Sequence, residues 1–179
     1  MLAAEREVLS LSGLPNELIE QREVKVGEYK GEDVNIHTIL CGDKSEGKPV
    51  LVMMHGYGGS GALFFKCLKK LCEKFFVILI DIIGMGGSSR PDNYPAKTIT
   101  PEESIDYFVN YLENWRVSMD NLTDFYFACH SFGGYLGGIY AARHHQHIKK
   151  LILLSPIGVR QMPEGYNADK WMEIMLSRP

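Results

Sequence analysis

The strongest constraint on what this chain can fold into is a unit that recurs along it: a short, wholly apolar run, closed by small or polar residues and followed by helical periodicity. The runs are PVLVMMHG at 49–56, FFVILID at 75–81, DFYFACH at 124–130 and KKLILLS at 149–155. Each is short for a helix, and its lack of polar alternation marks a strand buried on both faces. Helical segments separate the runs. One extends from Ser60 to Lys74, with Phe64, Phe65, Leu68, Leu71 and Cys72 on one side and lysines on the other. The next opens on a capping box of Thr100 and Glu103, has Pro101 at its first helical position and ends near Met119. A third runs from Phe132 to Arg143. Buried strands alternating with helices specify a doubly wound, mostly parallel α/β sheet. Ahead of it, the first twenty residues read as a short helix and a turn, interrupted by Gly13 and Pro15. A hairpin follows, formed by Glu23 to Val26 and Asp33 to Leu40 around the Gly27 to Gly31 region.

A chain of 179 residues, 45% hydrophobic, can bury one sizeable core. Its 19 basic and 22 acidic side chains leave a formal net charge of -3 with no basic cluster, so no nucleic-acid partner is expected. Cys41, Cys67, Cys72 and Cys129 match neither a metal pair nor a disulfide framework and read as free thiols. No apolar stretch reaches the length of a membrane span, and Glu5 and Glu7 stand where a targeting leader avoids acids. A cytoplasmic protein is expected, peripheral to a membrane or held in a larger assembly.

In parallel sheets, ligands and reactive groups gather at the carboxyl ends of the strands. Here those ends carry His55-Gly56-Tyr57-Gly58-Gly59, the Asp81 to Ser88 segment, and Cys129-His130-Ser131-Phe132-Gly133-Gly134. A serine between a strand and a helix, with small residues two before and two after, can occupy the strained turn called a nucleophile elbow. Cys129 and Gly133 are those small residues, so Ser131 is the candidate nucleophile; the competing reading is that it only caps the helix. The helix that follows carries Gly133, Gly134, Gly137 and Gly138, a composition that costs helix stability and needs close packing to offset it. The glycines at 56, 58 and 59 free the loop backbone to face a ligand, which makes the N–H groups of Tyr57 and Phe132 the candidate oxyanion donors. His55, Gly56, Gly58, Gly59, Asp81, His130 and Gly133 are supporting loop residues, with Asp81 orienting loops. His144, His145 and His147 read as a solvated helix end without an adjacent acid, so no metal is expected.

At their separations, HGYGG, DIIGMGGSSRP, CHSFGGYLGG and HIKKLILLSPIGV resemble the α/β-hydrolase fold. FVNYLENWR, SSRP and the LAAEREVL start resemble its lipid-acting subfamily of lysophospholipases, N-acyl phospholipid lipases, lysophosphatidate acyltransferases and lipase co-activators. The resemblance implies a hydrolase core over residues 1–160, through its sixth strand, and the start of a cap over 161–179, with cap helices beginning at Asp169 to Ser177. It implies acyl transfer through Ser131 on an acyl lipid or other ester substrate, without a cofactor. It also implies a triad in the order serine, acid, histidine. Pro156 to Pro179 contains Glu164, Asp169 and Glu173 but no histidine. His144 to His147 lie about 20 Å along a helix from Ser131, out of reach of a hydrogen bond. The expectation is therefore an amino-terminal part of a serine lipid hydrolase or acyltransferase, incomplete as this chain. The competing expectation is a non-catalytic, hydrolase-like structural or binding subunit. In either case the strand at 149–155 is an open edge that a continuation of the chain or a partner protein would cover.

Overall fold

A computed structural model of the chain describes residues 2–95 and 97–158. The expected cap segment at 161–179, including Asp169 to Ser177, lies outside them. Helix α1 (Leu2–Ser10) is followed by a hairpin of β1 (Ile19–Tyr29) and β2 (Glu32–Cys41). The alternating units then run β3 (Val50–Met54), α2 (Phe65–Cys72), β4 (Phe76–Ile80), α3 (Pro101–Ser118), β5 (Phe125–His130), α4 (Phe132–Arg143) and β6 (Ile148–Leu154). They form one six-stranded sheet in the order β1-β2-β4-β3-β5-β6. The hairpin joins antiparallel through β2 against β4, and the remaining pairs are parallel.

The apolar runs are continuous because each central strand feeds two cores. In β3, Leu51 and Met53 meet Leu9, Leu68 and Cys72 on the α1/α2 side, while Val52 and Met54 meet Val109, Trp115, Leu136 and Tyr140 on the α3/α4 side. Trp115 is buried with its Nε1–H donating to Thr38 Oγ1 at 3.0 Å, so its polar edge costs little. The capping box is present: Glu103 N–H donates to Thr100 Oγ1 at 3.2 Å and Thr100 N–H to Glu103 Oε2 at 2.9 Å. The helix expected from Ser60 to Lys74 is instead a 3-10 turn at Gly61–Phe64 followed by α2. Leu63 N–H donates three residues back to Ser60 O at 3.2 Å and Phe65 N–H to Ala62 O, the 3-10 pattern, while Gly61 N–H donates to Asp81. The hairpin is longer than expected and Gly27 lies within β1, at a register shift between Lys25 and Gly27.

The glycines of α4 divide by contact. A Cβ on Gly134 would stand 2.8 Å from Pro156 and one on Gly137 2.4 Å from Cys129 Sγ, whereas one on Gly138 would meet nothing within 4 Å. Gly138→Ala is therefore expected to stabilise the chain by up to about 1 kcal/mol, by removing backbone freedom from the unfolded state without a clash. A urea titration that shows no gain, or a loss, would contradict that placement.

His37 ties α1 to the hairpin. It is 1% exposed, with Nε2 at 2.7 Å from Glu5 Oε2 and Nδ1 at 2.6 Å from Glu23 Oε1. The hydrogen bond to Glu5, then that to Glu23, outweigh burial and raise its pKa from 6.5 to about 9. This stabilisation is complete below pH 6.5, declines as the folded imidazolium titrates and is gone above pH 9. Unfolding titrations are expected to lose on the order of 2 kcal/mol between pH 6.5 and 9. Glu5→Gln should flatten that slope, and an unchanged slope would show that another group carries it.

Candidate active site

Strand β5 delivers Ser131 into a turn that no ordinary side chain enters without cost: φ is 53° and ψ is -115°. The turn is held from three directions. Ser131 N–H donates to Leu154 O at 3.0 Å, and the N–H groups of Tyr135 and Ile157 donate to Ser131 O at 3.1 and 3.2 Å. Although Ser131 precedes the first residue of α4, its hydroxyl makes no capping hydrogen bond, which removes the reading of Ser131 as a mere helix cap.

The glycines explain how two loops meet there. A Cβ on Gly56 would stand 2.9 Å from Ser131 Cβ, and one on Gly133 would stand 2.2 Å from His55 O. The β3 loop and the β5–α4 turn are thus in backbone contact. Tyr57, 83% exposed, meets the Phe132 ring edge-on with centroids 6.3 Å apart. Among the described residues, neither the Tyr57 nor the Phe132 N–H donates a hydrogen bond, so both are free to receive an oxyanion.

His55 is not available as a base. It is 1% exposed, its Nδ1 lies 2.6 Å from Gly56 O, and Ile82 N–H donates to its Nε2 at 3.0 Å. Nε2 is therefore the bare nitrogen and Nδ1 carries the proton, and burial holds the pKa below 6.5. His130 is exposed beside Gly56. Asp81 is 1% exposed and accepts from Gly61 N–H at Oδ1 and Gly87 N–H at Oδ2, both at 2.6 Å. Burial raises its pKa while those two bonds oppose the rise. With both oxygens occupied, Asp81 ties the loops after β3 and β4 together. A Cβ on Gly86, at φ 53°, would fall 2.0 Å from Asp81 Oδ2, so only glycine completes that loop.

An aromatic wall at this edge was not read from the sequence. Phe132 packs edge-on to Phe108 at 5.6 Å, Phe108 to Tyr107 at 5.4 Å, and Tyr107 to Tyr94 at 5.1 Å. The spacing of Phe108 and Tyr111 on α3 resembles ordinary core periodicity, so only the tertiary fold shows that the series leads to Ser131. The histidine cluster also differs from expectation. Glu113 of α3 lies 3.8 Å from His144, supplying the acid that the neighbouring sequence lacks, and His144 and His147 are half-buried. Both Glu113 oxygens are already engaged, by Arg116 at 2.7 and 2.9 Å and by the Tyr140 hydroxyl at 2.7 Å. The Arg116 charge opposes a metal cation there.

Residues 49–178 match the sequence signature described as the alpha/beta hydrolase fold. The chain is 38% identical over 170 residues to a 1-acylglycerol-3-phosphate O-acyltransferase of Arabidopsis thaliana, covering 88% of this chain and 39% of that protein. It is 33% identical over 128 residues to a (lyso)-N-acylphosphatidylethanolamine lipase of Bos taurus, covering 72% of this chain and 36% of the relative. The chain thus spans well under half the length of these relatives. Among solved structures, the carboxylesterase CesB of Bacillus subtilis superposes with a TM-score of 0.72 at 20% identity, over 96% of this chain and 53% of the other. The sheet order, the loops at its carboxyl edge and a signature covering most of the sequence together show that this chain belongs to the alpha/beta hydrolase fold family.

Proposed function

We propose that Ser131 is the nucleophile of an acyl-transfer reaction on a lipid ester or amide, and that its turn is a nucleophile elbow. The observation that carries this reading is the Ser131 backbone at φ 53° and ψ -115°, with its hydroxyl uncommitted to the helix it precedes. Ser131 Oγ attacks the acyl carbonyl and gives its proton to a general base. The Tyr57 and Phe132 N–H groups hold the oxyanion, the base returns the proton to the alcohol or amine as its bond to the acyl carbon breaks, and water or an acceptor hydroxyl, deprotonated by the same base, then takes the acyl group from Ser131. A histidine and an acid from outside this sequence supply the base and its orienting partner. The names of the acyltransferase and lipase relatives support an acylated glycerophospholipid as substrate. We place the protein's lipid contact at a membrane surface, in keeping with the lipid-acting names of those relatives. Among the described residues no helix is long and apolar enough to cross a membrane.

A fluorophosphonate probe applied to the protein as it occurs in cells is expected to label Ser131 alone. Labelling that persists in Ser131→Ala would remove the nucleophile assignment. The second reading, a non-catalytic hydrolase-like binding subunit, draws support from the engagement of both His55 ring nitrogens. An unlabelled but correctly folded protein would favour it.

A further inference from the structure

The loops of the candidate site stand on a buried histidine that the acyl-transfer reading does not use. His37 of β2 has a carboxylate at each ring nitrogen, Glu5 Oε2 of α1 at 2.7 Å and Glu23 Oε1 of β1 at 2.6 Å. Two carboxylate acceptors call for two ring N–H donors, so the buried ring is an imidazolium. A third carboxylate faces it: a ring nitrogen of His37 and one oxygen each of Glu5 and Asp81 lie within 4.8 Å of one another. Burial raises the pKa of Asp81; the N–H groups of Gly87 and Gly61 oppose the rise, and the positive charge of His37 adds to them.

His37 also supports the loop after β4 from below. Ser88 Oγ accepts from His37 N–H at 3.0 Å and donates to Asp81 O at 2.7 Å, and Asp81 N–H donates to His37 O at 3.0 Å. Gly87 lies on the imidazole, where a Cβ would come within 2.7 Å of His37 Cγ, and its N–H donates to Asp81 Oδ2. The β4 loop in turn holds the loop after β3 at three points. Ile82 N–H donates to His55 Nε2 at 3.0 Å, Gly58 N–H to Met85 Sδ at 3.4 Å, and Gly61 N–H to Asp81 Oδ1 at 2.6 Å. Two of those points, His55 and Gly58, lie on either side of Tyr57. A continuous series of contacts therefore runs from Glu5 on α1, through His37 and the Asp81 loop, to the backbone that presents the Tyr57 N–H.

We propose that His37 is a positioning residue for the oxyanion loop: its ring, clasped by Glu5 and Glu23, fixes the Asp81 loop and through it the Tyr57 N–H. The ring touches no reacting atom. Its effect on acyl transfer rests on the Ser131 reading, whereas its hold on the two loops does not.

The test uses full-length protein labelled with nitrogen-15 at glycine and histidine. Glu5, Glu23 and Asp81 face the ring from α1, β1 and the residue after β4, and the ring's own signals identify its titration, expected near pH 9. The Gly61 and Gly87 amide signals should shift with the same midpoint, and the Gly138 amide on α4 should not. At pH 7, His37→Gln is expected to slow fluorophosphonate labelling of Ser131 about tenfold and Glu5→Gln about threefold. Tyr140→Phe, which loses a hydrogen bond to Glu113 away from these loops, should label at the parent rate, separating positioning from lost stability. Thermal melts establish that each variant is folded; should His37→Gln not fold, the titration of the parent and Glu5→Gln decide. Gly61 and Gly87 amides that ignore the ring titration, or labelling at the parent rate in the folded His37→Gln and Glu5→Gln proteins, would overturn the proposal. A parent that is not labelled at Ser131 would remove the nucleophile instead, and the amide shifts would still decide whether His37 holds the loops.

Discussion

The 179-residue chain assayed alone is expected to give no steady-state ester hydrolysis, although it carries the candidate nucleophile and both proposed oxyanion donors. A serine hydroxyl needs a base within hydrogen-bond reach to lose its proton during attack, and a positioned base contributes roughly 10²–10⁴ in rate. His55 cannot serve, because its bare Nε2 already accepts from Ile82 N–H and its other nitrogen is turned to Gly56 O. His144 stacks on Tyr140 with centroids 4.7 Å apart, at the far end of α4. p-Nitrophenyl butyrate hydrolysis at the solvent rate is the expected result. Turnover that disappears in Ser131→Ala would mean that His130, the remaining histidine at this edge, acts as a base. A longer form that supplies a histidine should recover the activity, and this separates a missing base from a non-catalytic protein.

Gly133→Ala is expected to be a strongly disruptive methyl addition between the two loops of the site. The added Cβ would sit 2.2 Å from His55 O and 3.1 Å from Met54 O. Both obstacles are backbone at the end of β3, a strand hydrogen-bonded on both sides, so neither can swing away as a side-chain tip could. Relief requires α4 to back away from the sheet or the His55 loop to shift. The expected cost is about 3 kcal/mol, which lowers the melting temperature of a chain of this size by about 10 °C. The substitution should also displace the Tyr57 N–H from Phe132 and slow fluorophosphonate labelling of Ser131. Gly138→Ala on the same helix has the opposite expected sign. Equal melting temperatures for Gly133→Ala and the parent would show that the contact is looser than described.

The contrast between these glycines marks how far the sequence reaches. Four glycines in one short helix signalled close packing, but their spacing could not say which of them touch the sheet. That depends on the rotation of α4 about its axis, which the strands beneath it set. Asp81 shows the same boundary. Its place at a strand end was legible, whereas its burial with both oxygens occupied depends on loops after two different strands meeting above the sheet.

By itself the sequence determined the order of strands and helices, the parallel α/β class, the capping of α3 and the position of Ser131 between β5 and α4. These follow from periodicity, turn residues and caps, which act over a few neighbouring residues and so leave their mark in local sequence. Only the tertiary structure decided that His55 is locked as a neutral structural ring, that His37 bridges Glu5 and Glu23, and that Glu113 lies beside His144, just past the end of α4. Each of those outcomes joins residues far apart in the chain, and their burial and hydrogen bonding depend on which elements the fold brings together.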